Sequence, residues 1–141
     1  MSHYLLDTNH ISPIVTASHP LRVKIISLIQ RDVQFSIAMP SLTELLFGIA
    51  TLPRARQNLT EWQILSFAFN YFDIGRPDAE YAAELQTSLR RQGWQLGTID
   101  ALIAAVALRF DLILLTTDND FRQIPGLQTE NWIATLKDSI N

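Results

Sequence analysis

Short apolar runs with strand-like spacing alternate along the chain with longer stretches of helical periodicity. The strand-like runs occupy residues 3–6, 33–38, 71–74, 112–115 and 129–132. Apolar side chains at helical spacing occupy residues 20–31, 40–50, 54–69, 77–91 and 101–108. This alternation predicts an α/β/α sandwich built on a central parallel sheet, followed by a polar tail.

Two of these segments indicate where the core lies. Residues 101–108 are apolar on nearly every face, which is typical of a buried helix. Residues 112–115 are apolar without interruption, as in a parallel strand covered by helices on both faces. The chain has 141 residues and shows no internal repeat or linker, so we expect a single domain spanning residues 1–141.

The composition excludes several kinds of protein. Hydrophobic residues make up 48% and charged residues 18%, which fits a folded globular protein and not a disordered one. The chain has no cysteine, so disulfides, zinc–thiolate sites and thiol catalysis are excluded. No apolar stretch approaches the ~20 residues that a membrane-spanning helix needs, and no signal peptide is visible. We therefore expect a cytoplasmic protein without membrane contact.

Four acidic residues stand where one predicted element hands over to the next: Asp7, Glu44, Asp100 and Asp118. Asp7 directly follows the first strand in LLDTN, and Asp118 follows the fourth strand in LLTTDNDF. Glu44 in PSLTELLFG and Asp100 in GTIDALIAA are expected in the first turns of helices, where the positive dipole end favours an ionised carboxylate. Because sites in open parallel sheets form beyond the carboxyl ends of the strands, these side chains are expected to meet at one edge.

Four convergent carboxylates repel one another and need a compensating cation when they are partly buried. Oxygen donors favour a hard ion, and Mg²⁺ is the natural candidate. The nearby Thr8, Asn9 and Thr117 are short polar residues that would orient a carboxylate or a water bound to the metal. The pattern therefore indicates metal-assisted phosphate chemistry with one or two ions.

Each acid also has a purely structural interpretation. Ser41 and Glu44 have the spacing of a capping box. Asp7 and Asp100 could each serve the start of a helix, and Asp118 could bond to the backbone of its own turn. Four such coincidences at one sheet edge are harder to accept than one shared site, so the shared site is favoured.

Four segments carry a family resemblance: LLDTN at the start, TELLFG before residue 50, IDALIAAVAL at 99–108 and LLTTDNDFRQIPGL at 114–127. Together they resemble PIN-domain ribonucleases, and in particular the VapC-type toxins of bacterial toxin–antitoxin systems. The resemblance covers nearly the whole chain. It implies a Rossmann-like, PIN-like α/β/α fold and an endoribonuclease that depends on Mg²⁺ or Mn²⁺.

The resemblance also implies roles for residues and a set of partners. Asp7, Glu44, Asp100 and Asp118 would form an acidic quartet that binds the metal and supports catalysis, with Asp120 close by. Either Asp118 or Asp120 would be the acid of the last segment that approaches the ion. The implied partners are the RNA substrate, a second copy of the chain in a homodimer, and a cognate VapB-like antitoxin that blocks the site.

Few residues are suited to contact RNA, because the net charge is −3 and the basic residues are few and occur in small separate groups along the chain. Arg90 and Arg91, just before the loop that leads to Asp100, are our candidates for phosphate contacts, with a solvated helix end as the alternative. Trp94 in that loop is expected to pack against the protein, with base stacking as the alternative. Surface or turn positions are expected for the three histidines, His3, His10 and His19.

The two helices on either side of Pro53 carry apolar residues on more than one face. One small core needs fewer, so part of this surface is expected to be an interface. Two alternatives to a metal-dependent endoribonuclease stay open. One is a non-catalytic PIN-like module that binds protein or RNA. The other is a nuclease directed at DNA, because an acidic cluster does not distinguish ribose from deoxyribose.

Overall fold

A parallel β-sheet forms the centre of the protein in the computed structural model, which describes residues 2–140. Its strands are β1 (His3–Leu6), β2 (Gln34–Ala38), β3 (Asn70–Phe72), β4 (Ile113–Leu115) and β5 (Thr129–Glu130). They lie in the order β3-β2-β1-β4-β5, and every neighbouring pair is parallel. The predicted α/β class with a central parallel sheet is confirmed.

Helices occupy the connections between these strands. Within residues 2–140 the α-helices are α1 (Thr8–Ile11), α2 (Pro20–Ile29), α3 (Met39–Thr51), α4 (Ala55–Leu65), α5 (Arg76–Arg91), α6 (Thr98–Arg109) and α7 (Trp132–Ile140). Single turns of 3₁₀ helix lie at Ser12–Val15, Ser66–Ala68 and Asn119–Gln123. The predicted strands and helices are present, with ends displaced by a few residues.

The end of the chain differs from the predicted polar tail. The last strand stops at Glu130, and α7 begins at Trp132. Trp132 is buried, and Ile133 and Leu136 pack against the same core. These three apolar residues have helical spacing, but polar neighbours dilute the pattern in so short a segment.

The sheet is covered by helices on both faces, and alternate residues of a strand reach opposite cores. Leu5 of β1 and Leu114 of β4 pack with α5 and α6. Leu6 and Leu115, the next residues along, pack with α1, α2, α3, α4 and α7. The result is the predicted α/β/α sandwich.

Burial fixes the position of α6, whose first turn holds Asp100. Most of its residues from Ala101 to Ala107 are fully buried, and many are alanine, which lets neighbouring elements approach closely. The N-terminal end of this helix is therefore held rigidly at the carboxyl edge of the sheet.

The switch point of the sheet lies at that edge, between β1 and β4. The chain leaves β1 for β2 on one side, whereas β4 lies on the other side, so the strand order reverses there. Open α/β sheets bind ligands at such a switch point. Leu6 of β1 lies opposite Leu115 of β4, so Asp7 and Thr116 leave the sheet side by side.

Every helix within residues 2–140 falls short of the length and hydrophobicity needed to cross a membrane.

Candidate active site

Asp7 directly follows β1, at the switch point between β1 and β4. Its backbone N–H donates to the carbonyl of Leu115 at 3.0 Å, and its side chain is only 7% exposed. One carboxylate oxygen, Oδ1, accepts from the backbone N–H of Thr8 at 2.9 Å and caps α1. The structural interpretation of Asp7 is thus confirmed, but the cap uses only one of its two oxygens.

Two side chains hold the second oxygen of Asp7. The hydroxyl of Thr116 donates to Oδ2 at 2.7 Å, and the amide nitrogen of Asn9 donates to it at 3.1 Å. The same Thr116 hydroxyl accepts from the backbone N–H of Asp118 at 3.0 Å. Asn9 therefore lies where a residue that orients a carboxylate was predicted.

The threonine that orients the Asp7 carboxylate is Thr116, so the first of the two roles predicted for Thr117 is wrong, and contact with a water bound to the metal stays a prediction. Thr116 is 4% exposed, whereas Thr117 is exposed and contributes only its backbone N–H, which donates to Asn9 Oδ1 at 3.1 Å. Side chains alternate in direction along extended backbone, so only one of two consecutive threonines can face Asp7.

Glu44 reaches the same edge from α3. The hydroxyl of Thr8 donates to Glu44 Oε2 at 3.4 Å. The helix begins at Met39, so Glu44 lies in its second turn and the first-turn prediction is wrong. The capping-box alternative is wrong as well, because Ser41 lies inside the helix. The helix starts early because proline at position 40 suits its first turn.

Asp100 shows most clearly that the acids share one region. Its pKa is raised from 3.8 to about 6, first by burial and then by the charges of Asp7, Asp118, Glu44 and Asp120, in that order. With this pKa Asp100 is still mostly ionised at neutral pH, so its predicted readiness to bind a cation is not contradicted, although the dipole does not keep its pKa at the ordinary value. Desolvation and four like charges outweigh the dipole.

The two candidates in the last segment are placed differently. Asp118 is half-buried, and its Oδ1 accepts from the backbone N–H of Asp120 at 2.9 Å. Asp120 is exposed and raises the pKa of Asp100 less than Asp118 does. Asp118 thus accepts a bond from the backbone of its own turn, as the structural alternative predicted. Its charge also affects Asp100 more than the charge of Asp120 does.

The chemistry of this acidic cluster, defined as Asp7, Glu44, Asp100, Asp118 and Asp120, fits a hard divalent cation. All its donors are carboxylate oxygens. Among the side chains of residues 2–136, the ion pairs are Arg22–Glu61, Arg76–Glu80 and Arg109–Asp78, and none of them involves the cluster. Across the same residues no three histidine or acidic side chains are arranged to hold an ion as they stand. The carboxylates would have to draw together on binding.

Comparison with known families identifies the fold that carries this cluster. The family model described as PIN domain matches residues 4–127. The chain belongs to the PIN-domain family. All five acids of the cluster lie inside the matched region.

Relatives of this PIN domain extend over nearly its whole length. It is 30% identical over 131 residues to the ribonuclease VapC2 of Rickettsia felis, which is 92% of this chain and 97% of the relative. It is 26% identical over 133 residues to the tRNA(fMet)-specific endonuclease VapC of Shigella flexneri, covering 94% and 99%. The crystal structure of VapBC2 from Rickettsia felis bound to promoter DNA matches with a TM-score of 0.81 and 27% identity, covering 92% and 98%. The predicted resemblance to VapC-type PIN domains is confirmed.

A shallow cavity of about 300 Å³ lies on the PIN domain in the loop between α5 and α6, lined by Arg90, Gly93, Trp94 and Gln95. Trp94 is 47% exposed, so only about half of its surface packs against the protein as expected, and the other half faces solvent. The positive φ of Gly93 (87°) turns the chain here, and Leu96 is the buried anchor of the loop. Arg90 is exposed, as is its neighbour Arg91.

His10 is fully buried, so its predicted surface or turn position is wrong. One ring nitrogen, Nδ1, lies 2.8 Å from Asn9 Oδ1, and Nε2 accepts from the backbone N–H of Trp132 at 3.1 Å. Burial lowers its pKa to about 4. Nothing in the local sequence indicates this, because Trp132 returns to the site 122 positions later.

The helix pair α3–α4 exposes much apolar surface, as predicted. The most exposed apolar side chains of this region are Phe47 of α3, at 71%, and Phe67 of the 3₁₀ turn that follows α4, at 92%. A groove of about 440 Å³ runs between the helices and is lined by Leu46, Ile49, Ala50, Ala55, Arg56 and Leu59. This PIN domain therefore carries an uncovered apolar surface on α3 and α4.

Proposed function

We propose that this chain is an endoribonuclease, the toxin of a type II toxin–antitoxin system, that hydrolyses RNA with a divalent cation held by Asp7, Glu44, Asp100 and Asp118. The observation that carries the proposal is the raised pKa of Asp100, which is due first to burial and then to the charges of all the other acids of the cluster. Carboxylates that repel one another at a switch point form a site that a bound cation would stabilise.

The cation is Mg²⁺, with Mn²⁺ as a substitute of similar preference for oxygen donors. When bound, such an ion polarises the phosphodiester and makes water a nucleophile at neutral pH. The relatives named as ribonucleases support cleavage of RNA by this PIN domain.

The residues of the chain hold and orient this site. Thr116 and Asn9 fix Asp7 Oδ2, and Thr8 links α1 to Glu44. Asp100 takes up a proton at a higher pH than an ordinary aspartate does, because burial and nearby charges raise its pKa to about 6. Binding of the cation therefore competes with a proton on Asp100 as the pH falls towards that value.

The surface beside the site supplies contacts for RNA. Arg90 and Arg91 would bind phosphates, and Trp94 would stack on an unpaired base in the cavity that it lines with Arg90. An acidic protein can use local contacts of this kind only when the cation neutralises the cluster, so RNA binding should depend on Mg²⁺.

The apolar surface of α3 and α4 would receive partners. The similar solved structure from Rickettsia felis is a VapBC2 complex, which supports a VapB-like antitoxin as the partner of this chain. A second copy of the chain is the other proposed occupant, in a homodimer. Exposed Phe47 and Phe67 are suited to either contact, since large apolar side chains dominate the energetics of interfaces.

The test is incubation of purified protein with total RNA in Mg²⁺, in Mn²⁺ and in EDTA. Asp7→Asn removes one charge at nearly constant volume. Asp111→Asn is the matched control, because Asp111 is exposed beyond the opposite end of α6, at a positive φ of 53° that asparagine tolerates. We expect cleavage by wild type and Asp111→Asn in either metal, and none in EDTA or by folded Asp7→Asn.

Cleavage by folded Asp7→Asn at the wild-type rate, or in EDTA, would contradict the proposal. If Asp7→Asn fails to fold, Asp100→Asn takes its place. RNA binding without cleavage under every condition would favour the non-catalytic module, and equal cleavage of single-stranded DNA would favour the broader nuclease. Sequencing the new RNA ends would identify the target.

A further inference from the structure

A buried histidine lies directly behind the acidic cluster without touching it. His10 has no solvent exposure and sits on the short helix α1, which Asp7 caps. Both of its ring nitrogens are engaged, one with Asn9 and the other with the backbone of Trp132. Neither contact belongs to the acids themselves, so the role of His10 must be sought in what it does to Asn9.

The proton of His10 is placed by Trp132. A backbone N–H can only donate, so Nε2 must accept from the Trp132 N–H at 3.1 Å and carries no proton. The neutral ring then has its proton on Nδ1, which donates to Asn9 Oδ1 at 2.8 Å. The tautomer follows from the backbone of a residue at the start of α7.

The orientation of the Asn9 amide is fixed in the same way. Its Oδ1 accepts from His10 Nδ1 and from the backbone N–H of Thr117 at 3.1 Å. Two donors at one end leave the NH₂ group at the other end, where it donates to Asp7 Oδ2 at 3.1 Å and to Thr116 Oγ1 at 3.3 Å. A flipped amide would place two donors against the donors of His10 and Thr117.

We propose that His10 is a positioning residue that, through Asn9, sets the orientation of the Asp7 carboxylate and links it to the junction of β5 and α7. Its effect on catalysis rests on the proposed function, whereas its effect on Asn9 does not. His10 touches neither RNA nor a cation. Together with the backbone N–H of Thr117, it determines which end of the Asn9 amide faces Asp7.

Two substitutions separate the two bonds of His10. His10→Asn places an amide near the position of Nδ1, so it keeps a donor for Asn9 and loses the acceptor for Trp132. His10→Gln places its amide near the position of Nε2, so it keeps the acceptor and loses the donor. Trp132 also packs in edge contact with Tyr4 and Phe35, which keeps α7 in place in either variant.

The first measurement is nitrogen-15 NMR of unmutated, metal-free protein. We expect the His10 ring in the neutral form protonated at Nδ1, and slow exchange of the Asn9 side-chain amide protons, assigned by their loss in Asn9→Ala. Protonation at Nε2 would overturn the proposal without any variant. The slow exchange should persist in His10→Asn and disappear in His10→Gln, and the reverse result would overturn it too.

The second measurement is steady-state RNA cleavage by both variants. His10→Gln should lower kcat by about tenfold and leave KM close to wild type, as loss of an outer-shell partner does, while His10→Asn keeps most of kcat. Equal kcat in the two variants would overturn the proposal, because a merely structural residue would act through stability alone. If wild-type protein cleaves no RNA, the proposed function fails while the NMR result still decides the role of His10.

Discussion

Thr116 donates a 2.7 Å hydrogen bond from its hydroxyl to Oδ2 of Asp7, although 109 positions separate the two residues in sequence. The bond forms because β1 and β4 are neighbours and both residues lie just past the ends of these strands. The same hydroxyl accepts from the backbone N–H of Asp118 at 3.0 Å. Thr116 thus links Asp7, at the end of β1, with Asp118, beyond the end of β4.

Replacing this hydroxyl should damage the site more than replacing its neighbour. Thr116→Val keeps the shape of the side chain but leaves Asp7 Oδ2 without its shortest bond, so RNA cleavage should fall by about tenfold. Thr117→Val should keep its activity, because Thr117 contributes only its backbone, and Thr116→Ser should recover most of the loss. Equal rates for Thr116→Val and Thr117→Val would contradict this assignment.

The contribution of Asp100 to the stability of the metal-free protein should fall as the pH rises through the range in which this acid ionises. Its pKa in the folded protein is about 6, above the ordinary 3.8, so the native state binds this proton more tightly than the unfolded chain does. The contribution of Asp100 to the free energy of unfolding therefore falls between about pH 4 and about pH 6 and stays low above that. Urea denaturation in EDTA measures it.

Asp100→Asn is the comparison that isolates this effect. His10 acts in the opposite direction over an overlapping range, because its pKa is lowered from 6.5 to about 4 and stability due to it rises with pH. His10 is common to both proteins, so the difference between wild type and Asp100→Asn should grow with pH in favour of the variant. A difference that does not change with pH would show that Asp100 titrates normally.

Asp78 is a buried acid with a structural role, and it should behave differently from the cluster. It is 1% exposed and accepts from Arg109 at 3.1 Å and from the Gly75 backbone N–H at 3.0 Å. Asp78→Ala should lower the free energy of unfolding by about 2 kcal/mol, since both Arg109 and the backbone N–H of Gly75 lose their acceptor at the start of α5. The folded variant should bind Mn²⁺ like wild type; a weakened affinity would place Asp78 in the site.

Trp94 and Arg90 should contribute to RNA binding separately from catalysis. In the Asp7→Asn background, Trp94→Ala should weaken binding of a fluorescent single-stranded oligonucleotide by about 1 kcal/mol, roughly fivefold, and Trp94→Phe should weaken it less. Arg90→Ala should also reduce the salt dependence of binding. Tyr81→Ala is the control, because Tyr81 is exposed to a similar degree on α5 but away from the loop. Equal affinity in Trp94→Ala and Tyr81→Ala would remove the stacking role.

Much of the fold follows from patterns that the sequence shows openly. The buried strand at 112–115 and the buried helix at 101–108 have apolar patterns with one interpretation, and the strand–helix alternation allows few topologies. The placement of Asp7 and Asp118 at one edge then follows from parallel strands, and the mutual effect of these acids on Asp100 agrees with it.

The errors arose where a choice depends on contacts distant in sequence. Nothing local indicates that Thr116 and not Thr117 faces Asp7, because the direction of a side chain after a strand depends on where extended backbone ends. The burial of His10 depends on Trp132, which belongs to α7, a helix in the segment that was predicted to be a polar tail. The pKa of Asp100 depends on the summed charge of neighbours that only the fold brings together.

Titration with Mn²⁺, followed by electron paramagnetic resonance, tests the claim that the acids act as one cation site. Wild type and Asp111→Asn should bind Mn²⁺ with the same affinity. Neutralising any one of four acids should weaken it by about tenfold or more, in Asp7→Asn, Glu44→Gln, Asp100→Asn and Asp118→Asn. Wild-type affinity in folded Asp7→Asn and Asp100→Asn would contradict the claim.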